Sequence, residues 1–150
     1  MTTAKRDTTL GLDSYLSFAV YSANLAFGKA YKPVLDELGL TYAQYLTLIA
    51  LAEKNRQTVG HLGNKLFLKS STLTPILKKL ENKGYVQRER DAADERQVFV
   101  TLSWSGQRLC ETAQRLGVVE TAGMKANDFA ATLRTITILR DALIKSVNSD

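Results

Sequence analysis

Two short strand-like runs lie inside a sequence that otherwise has the periodicity of helices. Residues 85–90 ("YVQRER") and residues 97–102 ("QVFVTL") are joined by the acidic segment "DAADE". Two such runs separated by a short polar loop predict a β-hairpin. Because helical patterns stand on both sides of this hairpin, the chain is predicted to be mainly α, with five or six helices and one small β element.

The helices before the hairpin have recognisable ends. The first is predicted over residues 12–38, with Asp13 or Ser14 near its start and a kink around Pro33. Gly39 is typical of a helix stop and Thr41 of a helix cap. Further helices are predicted over residues 42–53 (interior face Tyr45, Leu46, Ile49 and Ala50), 58–66, 71–84 (ending at Gly84), 103–120 and 128–147. Helix, helix and then a basic hairpin is the order of a winged helix-turn-helix.

The composition limits the class of protein. A chain of 150 residues is long enough for one domain with a sizeable core and short for two. A net charge of +5 and a pI near 9.4 favour polyanionic partners. The single cysteine, Cys110, rules out an intramolecular disulfide and favours a reducing cytosol. No signal peptide is recognisable and no apolar run is long enough to span a bilayer, so a cytoplasmic protein without membrane contact is expected.

Few residues are suited to catalysis or to cofactor binding. His61 is the only histidine and is predicted on a different, polar helix from Ser17, the candidate nucleophile. The sequence has no glycine-rich phosphate motif and no cluster of metal-ligand residues. We therefore expect a protein that is not an enzyme and has neither cofactor nor metal. Cys110 stands among apolar residues and is predicted to be a small core residue.

The helix before the hairpin has two distinct faces. Leu73, Ile76, Leu77 and Leu80 form the predicted inward face. The outward face begins with small hydroxyl residues, which permit close approach to DNA, and continues with lysines that reach phosphates. Pro75 is placed in or just after the first turn, where a missing N–H is least costly. The predicted DNA contacts are Ser70, the groove-reading Ser71, Thr72 and Thr74, and the phosphate-binding Lys78 and Lys79.

The predicted hairpin carries the charges that a DNA-contacting wing requires. Arg88 and Arg90 are on its first strand, and Asp94 and Arg96 are at its tip. An arginine at a hairpin tip suits the narrow, electronegative minor groove. Asp94, two residues before Arg96, is placed to hold the tip or the guanidinium in one conformation. Charged hairpin tips are common, but together with the preceding helix these residues form a coherent DNA-binding unit.

Three hydroxyl groups share one face of the first helix. Tyr21 and Tyr31 follow Ser17 by four and fourteen residues, offsets that place all three within a narrow arc. Tyr31 is nevertheless about 21 Å further along the helix axis than Ser17, so the two cannot meet within one straight helix. They can meet if two copies of the helix cross antiparallel in a dimer. A twofold dimer also supplies the paired reading heads that a palindromic operator requires.

The sequence resembles the MarR family of winged-helix regulators, and within it the organic-hydroperoxide-sensing OhrR branch. The segments "AYKPVLDELGLTYAQYL", "TLTPILKKLE" and "DER" carry the resemblance, which covers nearly the whole chain. It implies an obligate homodimer that binds a double-stranded DNA operator and represses a peroxidase gene. On this basis, residues 12–38 and 103–148 are expected to form the dimerisation helices and residues 42–102 the winged helix-turn-helix.

The resemblance also implies a role for the hydroxyl groups. In the OhrR branch a reactive cysteine stands at the position of Ser17, and its hydrogen-bonding tyrosines correspond to Tyr21, Tyr31 and Tyr42. With a cysteine at position 17, organic hydroperoxides would release the protein from its operator. A serine hydroxyl does not ionise near neutral pH, so Ser17 is expected to mimic the reduced, DNA-binding state. Two origins stay open: an engineered Cys-to-Ser variant, which the retained tyrosines favour, and a natural member without the sensor.

Some positions and some alternatives stand apart from this interpretation. Residues 117–150 contain no cysteine, so the cysteine form would be a one-cysteine sensor that needs an external thiol. Lys69 stands where an acidic residue is common in the branch, which leaves the operator preference open.

One alternative is a MarR-type regulator that binds a small aromatic ligand without covalent chemistry, in a cavity lined by Trp104, Phe18, Phe27 and the tyrosines. The other is a winged helix that binds only proteins.

Overall fold

The computed structural model describes residues 10–116 and 122–149. It confirms a mainly helical chain with a small antiparallel sheet. A short 3-10 turn (Leu12–Ser14) is followed by α1 (Leu16–Leu38), α2 (Tyr42–Glu53), β1 (Gln57–Thr58), α3 (Val59–Leu66), α4 (Ser70–Asn82), β2 (Val86–Arg90), β3 (Val98–Leu102), α5 (Trp104–Arg115) and α6 (Ala126–Val147). Within the described ranges, no helix combines the length and apolarity that crossing a membrane requires.

Helix α1 begins four residues later than predicted. Asp13 and Ser14 lie in the preceding 3-10 turn, and Tyr15, at the cap position of α1, is extended with φ −89° and ψ 115°. The predicted start near Asp13 or Ser14 was wrong, because such residues favour local turns as readily as helix caps. The helix includes Pro33 and ends before Gly39, whose left-handed φ of 65° confirms the predicted stop.

Helix α2 has the predicted bounds because a capping box defines its first turn. The Thr41 hydroxyl accepts from the Gln44 backbone N–H, and the Gln44 side chain accepts from the Thr41 N–H. The predicted interior face was incomplete, since Leu48 and Leu51 are also buried. Helix α2 contacts α1, α3, α4, α5 and strand β3, and it therefore buries more than one face.

Helices α3 and α4 form the helix-turn-helix. Phe67 ends α3 in the left-handed conformation, with φ 57°, and α4 begins three residues later at Ser70. Pro75 is the sixth residue of α4 and not a first-turn residue, so it removes the N–H that would bond to the Ser71 carbonyl. The predicted inward face is present, with Leu73, Leu77 and Leu80 fully buried and Ile76 half-buried.

The sheet has the strand order β1–β3–β2, and both strand pairs are antiparallel. The hairpin of β2 and β3 was predicted correctly, although each strand starts one residue later than expected. Strand β1 was not predicted, because two residues are too short for a periodic signal. Its residues Gln57 and Thr58 lie opposite Val100 and Phe99 of the central strand.

The chain divides into two compact units after Val118. In the first unit α5 packs against α2 and α1, and it buries Cys110 and Ala113. The second unit contains α6, none of whose residues is buried. Helix α6 begins two residues before its predicted start at residue 128, and the predicted extension of α5 over residues 117–120 lies outside the described residues.

Two glycines give stability predictions of opposite sign. We expect Gly39→Ala to lower the free energy of unfolding by about 1 kcal/mol, because alanine is strained at φ 65° even though a Cβ there meets no described atom within 4 Å. Gly60, in the first turn of α3, has equal space and no positive φ. Gly60→Ala is the matched control and should raise stability by about 0.5 kcal/mol. Urea unfolding at fixed protein concentration measures both; changes of the same sign would contradict the argument.

Candidate nucleic-acid interface and tyrosine cluster

The N-terminal turn of α4 is an exposed row of small hydroxyl residues. Ser70, Ser71 and Thr72 are exposed, and Thr74 is half-buried. The Thr74 hydroxyl donates to the Ser70 carbonyl at 2.8 Å, so its proton is used within the helix while its oxygen can still accept. Short side chains allow close approach to a ligand, and the N–H groups at a helix start favour an anion. This row is therefore suited to contact with nucleic acid.

Lys78 and Lys79 lie on different sides of α4. Lys78 follows Ser71 by two helical turns and therefore shares its outward side. Lys79 lines an open cavity of about 690 Å³ between the end of α4 and the turn that joins α1 to α2. Lys83, which also lines this cavity, donates to the Gly39 carbonyl. Lys78 thus continues the row of hydroxyl residues, whereas Lys79 stands on its flank.

Contacts within the wing, residues 86–102, hold its tip in one shape. The Asp94 carboxylate accepts from the Arg96 backbone N–H at 3.1 Å and from the Arg96 Nε at 3.3 Å. Arg90 donates across the hairpin to the Glu95 carbonyl at 3.1 Å. The Arg96 side chain is nevertheless 93% exposed. The pairing of Asp94 with Arg96 that the spacing predicts is present, and it leaves the guanidinium accessible to a ligand.

Arg88 has a partner that the sequence argument missed. Its backbone N–H and its Nη2 donate to the two carboxylate oxygens of Glu81, at 2.9 Å and 3.0 Å. These hydrogen bonds, helped by the charge of Arg88, hold the pKa of Glu81 below its usual range. Arg88 is therefore engaged by α4, unlike the exposed Arg90 and Arg96. The available signal was a carboxylate in the last turn of α4, seven residues before a strand arginine.

Tyr31 is the centre of a second cluster, where α1 packs on α2. Its ring centre lies 5.0 Å from that of Tyr42, 6.1 Å from that of Tyr45 and 6.5 Å from that of Phe27. Tyr31 is 2% exposed, and its hydroxyl has no hydrogen-bond partner among the described residues. Leaving such a group unpaired costs about 1–3 kcal/mol. Burial raises the pKa of Tyr42 and of Tyr45 above the usual value for a tyrosine.

Ser17 and Tyr21 lie apart from this cluster. They stand one turn from each other near the start of α1, both exposed, and the Tyr21 ring centre is 6.5 Å from that of Phe18. The four predicted pocket residues are therefore divided within one chain, with Ser17 and Tyr21 at one end of α1 and Tyr31 and Tyr42 at the other. A single chain therefore does not bring these four residues together.

The remaining candidate residues differ in burial. His61 is exposed on α3, as predicted. Cys110 is a buried free thiol, and burial and the charge of Glu111 raise its pKa. Trp104 is 76% exposed, with the Arg108 guanidinium 5.3 Å from its ring centre. In the part of the chain that the structure describes, no three potential metal ligands form a group.

Relatives of this chain are transcriptional regulators. The HTH-type transcriptional regulator TtmR of Methylorubrum extorquens (strain PA1) is 43% identical over 145 residues, which are 95% of this chain and 74% of TtmR. The Organic hydroperoxide resistance transcriptional regulator of Bacillus subtilis (strain 168) is 43% identical over 102 residues, which are 68% of this chain and 69% of that protein.

Solved structures have the same fold. Reduced AbfR bound to DNA is 34% identical, with a TM-score of 0.78 over 88% of this chain and 92% of that one. A mutant MarR from E. coli complexed with operator DNA is 27% identical, with a TM-score of 0.71 over 85% of this chain and 93% of that one. The sequence profile described as Transcriptional regulator SarA/Rot matches residues 29–112, which include α2, the helix-turn-helix and the wing. The chain therefore belongs to the SarA/Rot family of transcriptional regulators.

Proposed function

We propose that this chain is a homodimeric repressor that binds a palindromic DNA operator through a winged helix-turn-helix at residues 42–102. One observation carries the proposal: the exposed hydroxyl row of α4 and the 93% exposed Arg96 at the wing tip belong to one compact unit. Such a pair of elements fits a major groove and the adjacent minor groove. AbfR and MarR, which share the fold, have been solved with DNA bound.

The proposed DNA contacts follow from exposure and reach. Short side chains at the start of α4 contact base edges, since they let the helix enter the groove deeply. Ser70 and the positively charged side chains beside this row contact phosphates and set the register of the protein on the duplex. Arg96 enters the minor groove from the wing tip, with its backbone held by Asp94. The base-contacting residues are Ser71, Thr72 and Thr74, and the phosphate-contacting residues are Ser70, Lys78, Lys79 and Arg90.

The proposed dimer uses apolar surface that a single chain leaves exposed. Monomeric proteins rarely expose large continuous apolar faces. We therefore assign the terminal helical regions, residues 12–38 and 103–148, to dimerisation. A twofold dimer presents two reading heads to the two halves of a palindrome. The exposed apolar residues are Leu16, Val20, Tyr21, Leu25 and Phe27 on α1, and Leu133, Ile136, Ile138, Leu143, Ile144 and Val147 on α6.

An antiparallel crossing of α1 with its copy would complete the divided tyrosine pocket. Ser17 and Tyr31 are fourteen residues apart on α1, so a twofold axis near Asn24 would bring Ser17 beside the partner's Tyr31. The Tyr31 hydroxyl, which is buried without a partner among the described residues of the single chain, would then gain one. A parallel crossing would place Ser17 beside Ser17 of the partner subunit and away from this hydroxyl. Because Tyr31 is 2% exposed in the single chain, its side chain has to turn outward to make the contact.

We assign Ser17 to the position of a peroxide-sensing cysteine. The Bacillus subtilis relative is named for organic hydroperoxide resistance. AbfR has been solved in reduced, disulfide-formed and overoxidized states. A serine hydroxyl cannot follow the oxidation of a thiolate, so this chain is proposed to stay in the DNA-binding state. With a cysteine at position 17, an organic hydroperoxide would be the inducer.

A second candidate signal is a small aromatic ligand that binds without covalent chemistry. The unpartnered Tyr31 hydroxyl favours it, because a ligand acceptor or donor could pair with this group inside a ring of aromatic side chains. Both candidates keep DNA binding and differ only in what releases it. They are separated by the response of a Ser17→Cys variant to peroxide.

Selection of duplexes from random-sequence DNA tests the proposed function. We expect the enriched duplexes to contain an inverted repeat. Fluorescence anisotropy at one fixed salt concentration should show that the Kd for a selected duplex is lower than the Kd for its scrambled form by roughly 10³-fold or more. Sedimentation should show two chains for each duplex. Equal affinity for the selected and scrambled duplexes would contradict the proposal and favour a protein-binding module.

Tyr31→Phe tests the proposed crossing of α1. In a lone chain the change removes only an unpartnered hydroxyl, so the stability of the chain should not fall. In the proposed dimer it removes a hydrogen bond to Ser17, and the dimer should dissociate more readily by about 1 kcal/mol per contact. Sedimentation should show that this effect disappears in a Ser17→Ala background. Tyr45→Phe, in the same cluster, is the matched control; a Tyr31→Phe effect of equal size in both backgrounds would argue against the crossing.

A further inference from the structure

Glu81 joins α4 to the wing through a forked contact with Arg88. Its Oε2 accepts from the Arg88 backbone N–H at 2.9 Å, and its Oε1 accepts from the Arg88 Nη2 at 3.0 Å and Nε at 3.3 Å. Glu81 lies in the last turn of α4, and Arg88 is the third residue of β2. A carboxylate that binds an arginine in this way is held in direction as well as in distance.

The chain between the two residues is already tied once, at the turn that ends α4. Gly84 has φ 80°, and its N–H donates to the Glu81 carbonyl at 2.9 Å, while the Tyr85 N–H donates to the Leu80 carbonyl at 3.0 Å. The contact between Glu81 and Arg88 adds a second attachment, three residues further along β2. The wing is also held at its base, where β3 pairs with β1 and the Leu102 N–H donates to Asn55 Oδ1. The contact between Glu81 and Arg88 therefore acts on the direction of β2 relative to the end of α4.

Partial burial separates this pair from the surface charges of the wing. The Arg88 side chain is 25% exposed and that of Glu81 35%, against 93% for Arg96. Ion pairs that are shielded from water are less screened by salt than exposed ones. In addition, the Glu81 carboxylate accepts from an edge N–H of β2, which pairs with no other strand on that side among the described residues. The contact between Glu81 and Arg88 is therefore a partly buried ion pair that connects the end of α4 to the wing.

We propose that Glu81 is a positioning residue for DNA binding. Its carboxylate holds Arg88 and so sets the angle between α4, in the major groove, and the wing tip, in the minor groove. This inference rests on the function proposed above and assigns Arg88 no direct phosphate contact. The competing view is that Arg88 contacts phosphate itself and that Glu81 competes for it. The two views predict changes of opposite sign when Glu81 loses its charge.

Glu81→Gln is the first variant of the test, with a duplex that the wild-type protein has selected from random DNA. We expect binding to weaken roughly five- to tenfold, because the neutral amide holds the guanidinium less firmly. Glu89→Gln is the matched control, since it removes the same charge from the neighbouring residue of β2, which is exposed. Loss of a negative charge alone should tighten DNA binding slightly. Tighter binding by Glu81→Gln, with a steeper salt dependence, would overturn the proposal.

A second comparison asks whether Glu81 acts through the wing tip. In an Arg96→Ala background the loss caused by Glu81→Gln should shrink below about twofold, because the group being positioned is already absent. A loss of the same factor in both backgrounds would indicate general loosening and would contradict a positioning role. Arg88→Lys keeps the positive charge without the planar fork. Weaker binding by Arg88→Lys supports positioning, whereas unchanged binding would support a simple phosphate contact.

The design separates a failure of this inference from a failure of the proposed function. If the wild-type chain binds selected and scrambled duplexes alike, the proposed function is wrong. Suppose that the wild-type chain discriminates between the selected and scrambled duplexes, and that both Glu81→Gln and Arg88→Lys bind the selected duplex as tightly as the wild-type chain does. Only the positioning role of Glu81 is then wrong. Thermal unfolding of each variant at fixed concentration shows whether the fold persists, and Arg88→Lys provides the comparison if Glu81→Gln does not fold.

Discussion

Replacing Ser17 by cysteine should convert this chain into one that releases DNA when an organic hydroperoxide is added. We expect cumene hydroperoxide, added together with a small external thiol, to weaken binding of the Ser17→Cys variant to a selected duplex roughly 10- to 100-fold, and to leave binding by the serine chain unchanged. The thiolate attacks the O–O bond, an S–O bond forms, and the alcohol leaves with a proton from solvent. The serine hydroxyl is not ionised near neutral pH and gives no such product. Fluorescence anisotropy before and after peroxide measures the difference.

The serine chain is a well-matched control for this experiment, because it keeps Cys110. That thiol is 6% exposed and has a raised pKa, so it should react little. Mass spectrometry should find one added oxygen in the Ser17→Cys variant alone after peroxide without thiol, and the thiol attached as a mixed disulfide when both are present. Excess dithiothreitol should restore DNA binding, because both products are reversible. If both chains bind DNA and ignore peroxide, position 17 is not a sensor position, and a non-covalent aromatic ligand becomes the better candidate.

The sequence predicted those parts of the fold that depend on short-range interactions. Helix α2 was predicted to the residue because Gly39 and Thr41 act through bonds to residues at most a few positions away. The start of α1 was wrong because Asp13 had an equally local alternative, a 3-10 turn. Strand β1 was missed because its residues are a strand only through pairing with β3, some forty positions later. Long-range pairing leaves no periodic signal in two residues.

The candidate site likewise has some features that short-range patterns predict and others that depend on long-range packing. The exposed face of α4 could be predicted from helical periodicity, and the pairing of Asp94 with Arg96 from a two-residue spacing in a tight loop. The contact between Arg88 and Glu81 could not be predicted from the sequence, because it depends on the direction in which β2 leaves the end of α4. The separation of Ser17 from Tyr31 could be predicted from helix geometry alone. The packing of Tyr31 against side chains of α2 could not, because it depends on how α1 and α2 are placed relative to each other.

Arg96→Ala should weaken binding to a selected duplex by about 1–3 kcal/mol, roughly 5- to 150-fold. The Arg96 side chain is 93% exposed, and Asp94 already orders the backbone beneath it, so little further ordering is needed when it enters a groove. A narrow A·T-rich minor groove has the most negative potential. The loss should therefore be larger for duplexes with A·T pairs beneath the wing than for duplexes with G·C pairs there. Anisotropy on both duplexes at one salt concentration measures it.

Loss of any positive charge weakens DNA binding somewhat, so the result for Arg96 must be compared with that for a charge outside the proposed interface. Lys54→Ala removes one positive charge just after α2, at a residue that is outside the dimerisation helices and not a proposed DNA contact, and should change affinity less than about twofold. Thermal unfolding should be unchanged for both variants, because each side chain is exposed. A loss for Arg96→Ala that is no larger than the control, and equal on A·T and G·C duplexes, would remove the wing tip from groove recognition. A selective loss would mean that the wing reads the shape of the minor groove while α4 reads base edges, so that specificity depends on the angle between them.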